Sequence, residues 1–207
     1  MSRRQLFAIR ARLLGGALLL LSTGACISKR VTRIEPSAVT DLSGRWNDTD
    51  SRLVANQIVE QTLAAGWAKR YTDLHGGEAP VVIVGTFANR TMEHIQVGTF
   101  VKDIEKAFVM TGAARIVASS DERQELRAER KDQQQNARAD TRARPGQEMG
   151  ARYALTGDLQ AIEDVDGRER VVLYQIDAAV IDLETNTKVW VGQHKIKKYI
   201  ERARFGL

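Results

Sequence analysis

An alternating run of apolar residues near the C-terminus constrains the fold most strongly. Apolar side chains occupy every second position at Val172, Tyr174, Ile176, Ala178 and Val180. Because successive side chains of a strand point to opposite faces, this period of two predicts a long, half-buried strand. Residues 184–187 (ETNT) favour a turn, and residues 188–196, which include Trp190, favour a returning strand. We therefore predict an antiparallel β-hairpin.

Three further segments are predicted to supply strands to the same sheet. Residues 79–87 form a short, β-branched apolar run, as expected of a buried central strand. Residues 113–118 and 153–159 complete the set, and residues 164–167 (DVDG) favour a turn before the long strand. The sequence thus predicts a small mixed or mostly antiparallel sheet of about five strands.

Helical periodicity accounts for much of the remaining chain. Asn47 or Asp48 is a suitable N-cap for a first helix that ends at Gly66, and its core face is Val54, Ile58, Thr62 and Ala65. The core face of a second helix is Val97, Val101, Ile104 and Phe108. Residues 120–144 are densely charged and predict a solvated helix that frays near Pro145. We expect a globular α+β domain over residues 46–207, with the sheet flanked by helices.

The N-terminal residues follow the order of a lipoprotein signal peptide. Residues 1–25 contain a basic start, an apolar run too short to span a bilayer, and small residues before Cys26. This pattern predicts cleavage before Cys26 and lipidation of its thiol, which anchors a protein to a membrane. Ile27 follows instead of an inner-membrane retention aspartate, which favours the periplasmic side of the outer membrane. Residues 26–45 are predicted to be the lipidated cysteine and a short tether.

The signal peptide accounts for most of the positive charge. The whole chain has a net charge of +5, of which Arg3, Arg4, Arg10 and Arg12 contribute four, so the mature chain carries about +1. A strongly basic surface, which is typical of nucleic-acid binding, is therefore not expected. The pair Arg3 and Arg4 leaves both the general and the twin-arginine export routes open.

No motif in the sequence indicates catalysis. His75, His94 and His194 are the only histidines, and no two of them have the spacing of metal ligands. The P-loop, the nucleophile elbow and the serine motifs of penicillin-binding enzymes are absent from the sequence. We therefore expect a protein that is not an enzyme, has no metal, cofactor or small-molecule substrate, and works by binding another protein.

A polar cluster after the first predicted strand is the candidate partner-binding site. Asn89, Arg90 and Thr91 follow the apolar run that ends at Phe87. Two interpretations are open: a turn that caps the next helix, or an interaction loop beside the sheet. Trp46 precedes the first helix, and we expect it to pack back on that helix as a hydrophobic staple.

Several of these segments resemble the LpoB-like lipoprotein activators of penicillin-binding proteins. The most specific is residues 44–53 (GRWNDTDSRL), followed by residues 87–91 (FANRT), 150–155 (GARYAL) and 185–192 (TNTKVWVG). The resemblance implies an outer-membrane lipoprotein whose periplasmic domain binds and stimulates a class A penicillin-binding protein, a peptidoglycan synthase, and so regulates cell-wall synthesis. It also implies a fold similar to the N-terminal domain of TolB.

A second hypothesis belongs to another functional class. The chain could be a secretion or assembly lipoprotein that resembles the curli pore subunit, whose periplasmic part has a related layered fold. Neighbouring genes for cell-wall synthesis or for secretion would separate the two hypotheses.

Overall fold

The computed structural model describes residues 30–201. The chain divides after Ala38 into two compact units. The described residues of the first unit, 30–38, form no helix or strand, whereas the unit that starts at Val39 contains every helix and strand of the described chain. The predicted signal peptide and Cys26 lie outside the described residues.

Helix α1 spans Asp48–Ala64 and begins as the sequence predicts. The Asn47 side chain accepts a hydrogen bond from the Asp50 N–H at 3.1 Å, and the Asp50 carboxylate accepts one from the Asn47 N–H at 2.9 Å. This capping box satisfies two N–H groups at the start of the helix. At Gly66 the backbone adopts a φ of +69°, and helix α2 (Trp67–Leu74) follows at once. Helix α2 is only two turns long and was not predicted from the sequence.

Five strands form one mixed sheet. The remaining elements, in chain order, are β1 (Val81–Asn89), α3 (Gly98–Thr111), β2 (Arg115–Val117), α4 (Ser120–Asn136), β3 (Tyr153–Asp166), β4 (Glu169–Asp182) and β5 (Lys188–Glu201). The strands lie in the order β2-β1-β3-β4-β5; β1 is parallel to both of its neighbours, whereas β3, β4 and β5 are antiparallel. The predicted α+β fold with a mixed five-stranded sheet is confirmed.

The three C-terminal strands are longer than predicted. Each has 14 residues, and β3 pairs with β4 as far as Asp166, which lies opposite Glu169. The prediction of a turn over residues 164–167 is therefore wrong, because only Gly167 and Arg168 connect the strands. Gly167 has a φ of +56°, and such a two-residue turn lets both strands pair to their ends.

Helices α1, α2 and α3 pack on one face of the sheet. The Phe87 ring of β1 meets Phe100 of α3 edge-on at 5.2 Å, and Trp67 of α2 meets Tyr153 of β3 at 5.1 Å. The fully buried side chains of this core include Val54, Ile58, Ile104, Phe108, Leu155, Leu159, Val172, Tyr174, Ile176 and Val180. The helix and strand faces predicted from periodicity therefore form the core.

Helix α4 buries none of its side chains. It begins with a second capping box, in which the Glu122 carboxylate accepts a hydrogen bond from the Ser119 N–H at 2.8 Å. The helix ends at Asn136, well before the fraying point predicted near Pro145. Within residues 30–201, no helix is both long enough and apolar enough to cross a membrane.

Candidate protein-interaction site

Trp46 holds the segment before helix α1 against the sheet. Its indole N–H donates to the Ser51 hydroxyl at 2.8 Å, and its ring packs edge-on against Tyr174 with 5.4 Å between centroids. Trp46 therefore joins the first turn of α1 to strand β4, a larger role than that of a staple within one helix. Gly44 has a φ of +67° and lies against Ile200, where a Cβ atom would overlap that side chain.

Glu93 connects this segment to the sheet and to the loop after β1. Its carboxylate accepts hydrogen bonds from the Tyr174 hydroxyl at 2.7 Å and from the Trp46 N–H at 3.2 Å. The Arg170 guanidinium lies 3.5 Å from the same carboxylate. Burial, together with the hydrogen bond to Glu93, raises the pKa of Tyr174 well above its ordinary value, so this hydroxyl stays a donor.

A second network centres on Lys198 of β5, whose side chain is 11% exposed. Its ammonium lies 2.6 Å from the Asp50 carboxylate and 3.0 Å from that of Asp41, and it donates to the Arg45 carbonyl oxygen at 3.0 Å. Burial acts to lower the pKa of Lys198, but the hydrogen bonds to Asp50 and Asp41 outweigh it and raise the pKa. Residues 39–45, predicted as tether, therefore belong to the folded unit.

The predicted site residues Asn89, Arg90 and Thr91 form a polar turn at the carboxyl end of β1. The Asn89 side chain accepts hydrogen bonds from the Thr91 N–H at 3.0 Å and hydroxyl at 2.8 Å, and it donates to the Glu93 carbonyl oxygen at 2.7 Å. Asn89 and Thr91 therefore shape the loop. The side chains of Asn89, Arg90 and Met92 are exposed, so a partner can contact them.

An open cleft of about 480 Å³ lies between this loop and the start of α1. Trp46 and Ile95 give it apolar lining, and Asp48, His94 and Asp103 give it polar lining with exposed side chains. Apolar walls with a few fixed polar groups are typical of a recognition site. The cleft and the loop together form the candidate interaction site.

The histidines show no sign of acting together. His75 stacks on Tyr71 with 3.8 Å between ring centroids, and His94 is hydrogen-bonded to Gln96 at 2.8 Å. Burial lowers the pKa of His194. Among the residues that the structure describes, no group of three His, Cys, Asp or Glu side chains is placed to hold a metal ion.

The residues that hold the site together were not predicted as site residues from the sequence. Glu93 and Lys198 were not singled out, and Tyr174 was predicted only as an apolar residue of the long strand, although each has a central place in the two networks. One signal was available for Lys198, because it occupies an inward position of a strand whose neighbours Ile196 and Ile200 are apolar. A lysine at such a position needs an acidic partner when it is buried.

Three solved structures are similar to this chain at low sequence identity. The C-terminal domain of LpoB from Salmonella enterica is 15% identical, with 64% of this chain and 93% of that one covered and a TM-score of 0.34. LpoB from Escherichia coli is 14% identical, with 88% of this chain and 85% of that one covered and a TM-score of 0.39. A lipoprotein from Neisseria meningitidis is 12% identical, with 62% of this chain and 88% of that one covered and a TM-score of 0.37.

The family is identified by comparing the sequence with family models. No curated protein sequence matches this chain significantly. Residues 50–196, which make up well over half of the chain and run from α1 into β5, match the model of the family described as peptidoglycan-synthase activator LpoB. The chain therefore belongs to the LpoB family of peptidoglycan-synthase activators.

Proposed function

We propose that this protein is a lipoprotein, anchored through Cys26 on the periplasmic side of the outer membrane, that binds and stimulates a class A penicillin-binding protein. Family membership over residues 50–196 carries the proposal. The protein would perform no chemistry itself and would regulate peptidoglycan synthesis through its protein partner. The signal-like residues before Cys26 support the anchor.

The geometry of the candidate site supports a binding role. The loop after β1 is fixed by Asn89, and the segment before α1 is fixed by Glu93 and Lys198. A surface that is already ordered loses little conformational entropy when a partner binds. An activator must bind the active state of its partner better than the resting state. A tenfold stimulation requires about 1.4 kcal/mol of such preference, which a modest surface can supply.

The proposal is tested with the full chain, purified in detergent, and each class A synthase of the host. Glycan polymerisation is followed from the lipid-linked precursor, and binding is measured in parallel. We expect direct binding and a severalfold rise in polymerisation rate with at least one synthase. If no synthase binds and none changes its rate, the proposal is rejected.

The contribution of the loop is tested with Arg90→Ala. Because the Arg90 side chain is exposed, we expect the melting temperature to stay the same while stimulation of the synthase falls severalfold. Arg142→Ala is the matched control, since Arg142 is also an exposed arginine and lies in the segment after α4. Loss of stimulation in the control but not in Arg90→Ala would place the contact elsewhere.

A further inference from the structure

The sheet face opposite α1, α2 and α3 is exposed over strands β3, β4 and β5. Ile162 is 71%, Val191 is 65% and Tyr199 is 60% exposed on this outer face. Helix α4, which lies outside the core layer, buries no side chain. These residues stand singly and not as one patch, because Ile162 lies opposite Leu173 whereas Val191 lies opposite Ala179, six positions farther along β4.

Two aspartates face each other in the middle of the outer face. Asp158 of β3 lies directly opposite Asp177 of β4 in the antiparallel register. Like charges in this position destabilise a sheet. Their hydrogen-bond donors are neutral, because Gln160 donates to Asp158 at 2.8 Å, while Gln175 and Gln193 each donate to Asp177 at 2.7 Å.

Three lysines of the described chain lie on the same face, Lys188, Lys195 and Lys197, and none of them forms an ion pair with either carboxylate. Both aspartates line a surface depression of about 330 Å³, together with Ala179 and Val191. Lys188 also lines this depression without pairing to them. The outer face therefore combines scattered apolar groups, a recess and two facing carboxylates with which the lysines of this face form no ion pair.

We infer that the outer face docks a cationic patch of the synthase, with a lysine or arginine side chain placed between Asp158 and Asp177. This inference rests on the proposed function and names the chemistry of the partner surface. A cation at this position would be attracted to both carboxylates and would offset the repulsion between them, so binding there is favourable. The outer face adjoins the loop after β1, because Ala88 pairs with Asp158, one residue before Asn89.

The test compares the full chain with the double variant Asp158→Asn/Asp177→Asn in binding to the synthase that the wild type stimulates. We expect at least tenfold weaker binding, which corresponds to about 1.4 kcal/mol, and a smaller loss of affinity with added salt. Asparagine keeps the shape of aspartate and removes the repulsion, so the melting temperature should stay the same or rise. The control Glu125→Gln/Glu129→Gln removes the same charge from α4 and should bind as the wild type does.

The outcomes separate the inference from the proposed function. Equal affinity and equal salt dependence of wild type and double variant would overturn the inference and leave the proposed function standing. A lower melting temperature of the double variant would also contradict it, because the pair would then stabilise the sheet. If the wild type binds no synthase, the proposed function fails, and the inference fails with it.

Discussion

Residues around the start of α1 are expected to tolerate few substitutions. The segment from Asp41 to Ser51 contacts β4 through its own Trp46, and it contacts β5 through Lys198 of that strand. Each of these two side chains therefore connects the segment to the sheet. Buried polar groups of this kind stabilise the fold only while all their partners are present. Substitutions here are therefore expected to reduce stability before they affect any binding.

Gly44→Ala is expected to destabilise the protein by about 2 kcal/mol or more. Alanine at a φ of +67° costs about 1–2 kcal/mol, and its Cβ would overlap Ile200. Gly76→Ala is the control, because Gly76 has a φ of +64° and no neighbouring atom within 4 Å of the added Cβ. Denaturant unfolding of both variants measures the difference. Equal losses of unfolding free energy in the two variants would mean that the overlap of the added Cβ with Ile200 costs nothing.

Lys198→Met is expected to cost about 3 kcal/mol, because it leaves the buried Asp50 carboxylate without its cation. Lys197→Met is the control, since Lys197 is the adjacent, exposed residue of β5 and its loss should change stability by less than about 0.5 kcal/mol. Thermal unfolding at neutral pH distinguishes the two. Similar melting temperatures for both variants would argue against the Lys198 network.

The same lysine predicts a pH dependence in the alkaline range. Its pKa in the folded protein is raised above the ordinary value of 10.5. The stabilisation from Lys198 is therefore complete below about pH 10.5 and is lost as the pH rises through the raised pKa. Lys198→Met should lack this alkaline loss, which unfolding measurements between pH 8 and 12 would reveal.

At the scale of secondary structure, α4 is the element least supported by packing. Its contacts are polar: Glu122 pairs with Lys102 of α3, and Glu148 pairs with Arg127 and Arg130. A helix whose side chains all remain accessible depends on capping and ion pairs. We therefore expect α4 to open independently of the core.

Acid is expected to unfold α4 before the sheet. The hydrogen bond from Lys102, with the Ser119 cap, lowers the pKa of Glu122 from 4.5 to about 2, and Arg127 and then Arg130 lower that of Glu148 to about 2. The support that these carboxylates give is present above pH 4.5 and is lost as the pH falls towards 2. Backbone chemical shifts of α4 should lose their helical values in this range while those of β4 stay native.

Glu122→Gln serves as the companion to this titration. The variant should show a frayed α4 already at neutral pH, whereas Glu125→Gln, at an exposed position of the same helix, should behave like the wild type. A single acid transition that includes α4 and the sheet together would contradict independent opening.

At the scale of the whole molecule, the proposed lipid anchor determines the membrane at which the folded unit is located. Cys26→Ala should abolish labelling by palmitate analogues and release the protein from the outer-membrane fraction, because two or three acyl chains give stable attachment. Ser28→Ala, two residues away, should leave both unchanged. Unchanged labelling of Cys26→Ala would reject the anchor.

The sequence by itself determined the features that depend on near neighbours along the chain. The Asn47 cap, the apolar faces of α1 and α3, and the alternation in β4 involve residues a few positions apart, so periodicity and capping rules predict them. The turn at residues 164–167 was placed wrongly, because its exposed polar residues obscure the pairing that continues to Asp166. Helix α2 was too short to show a clear period.

Tertiary structure decided the composition of the site. Glu93 is 47 residues from Trp46 and 81 from Tyr174, and no local pattern signals contacts over such separations. The role of Asn89 in shaping its own loop also depends on where the chain turns towards Glu93. The opposition of Asp158 and Asp177 follows from strand register, which is set when the hydrophobic face of the sheet packs against the helices.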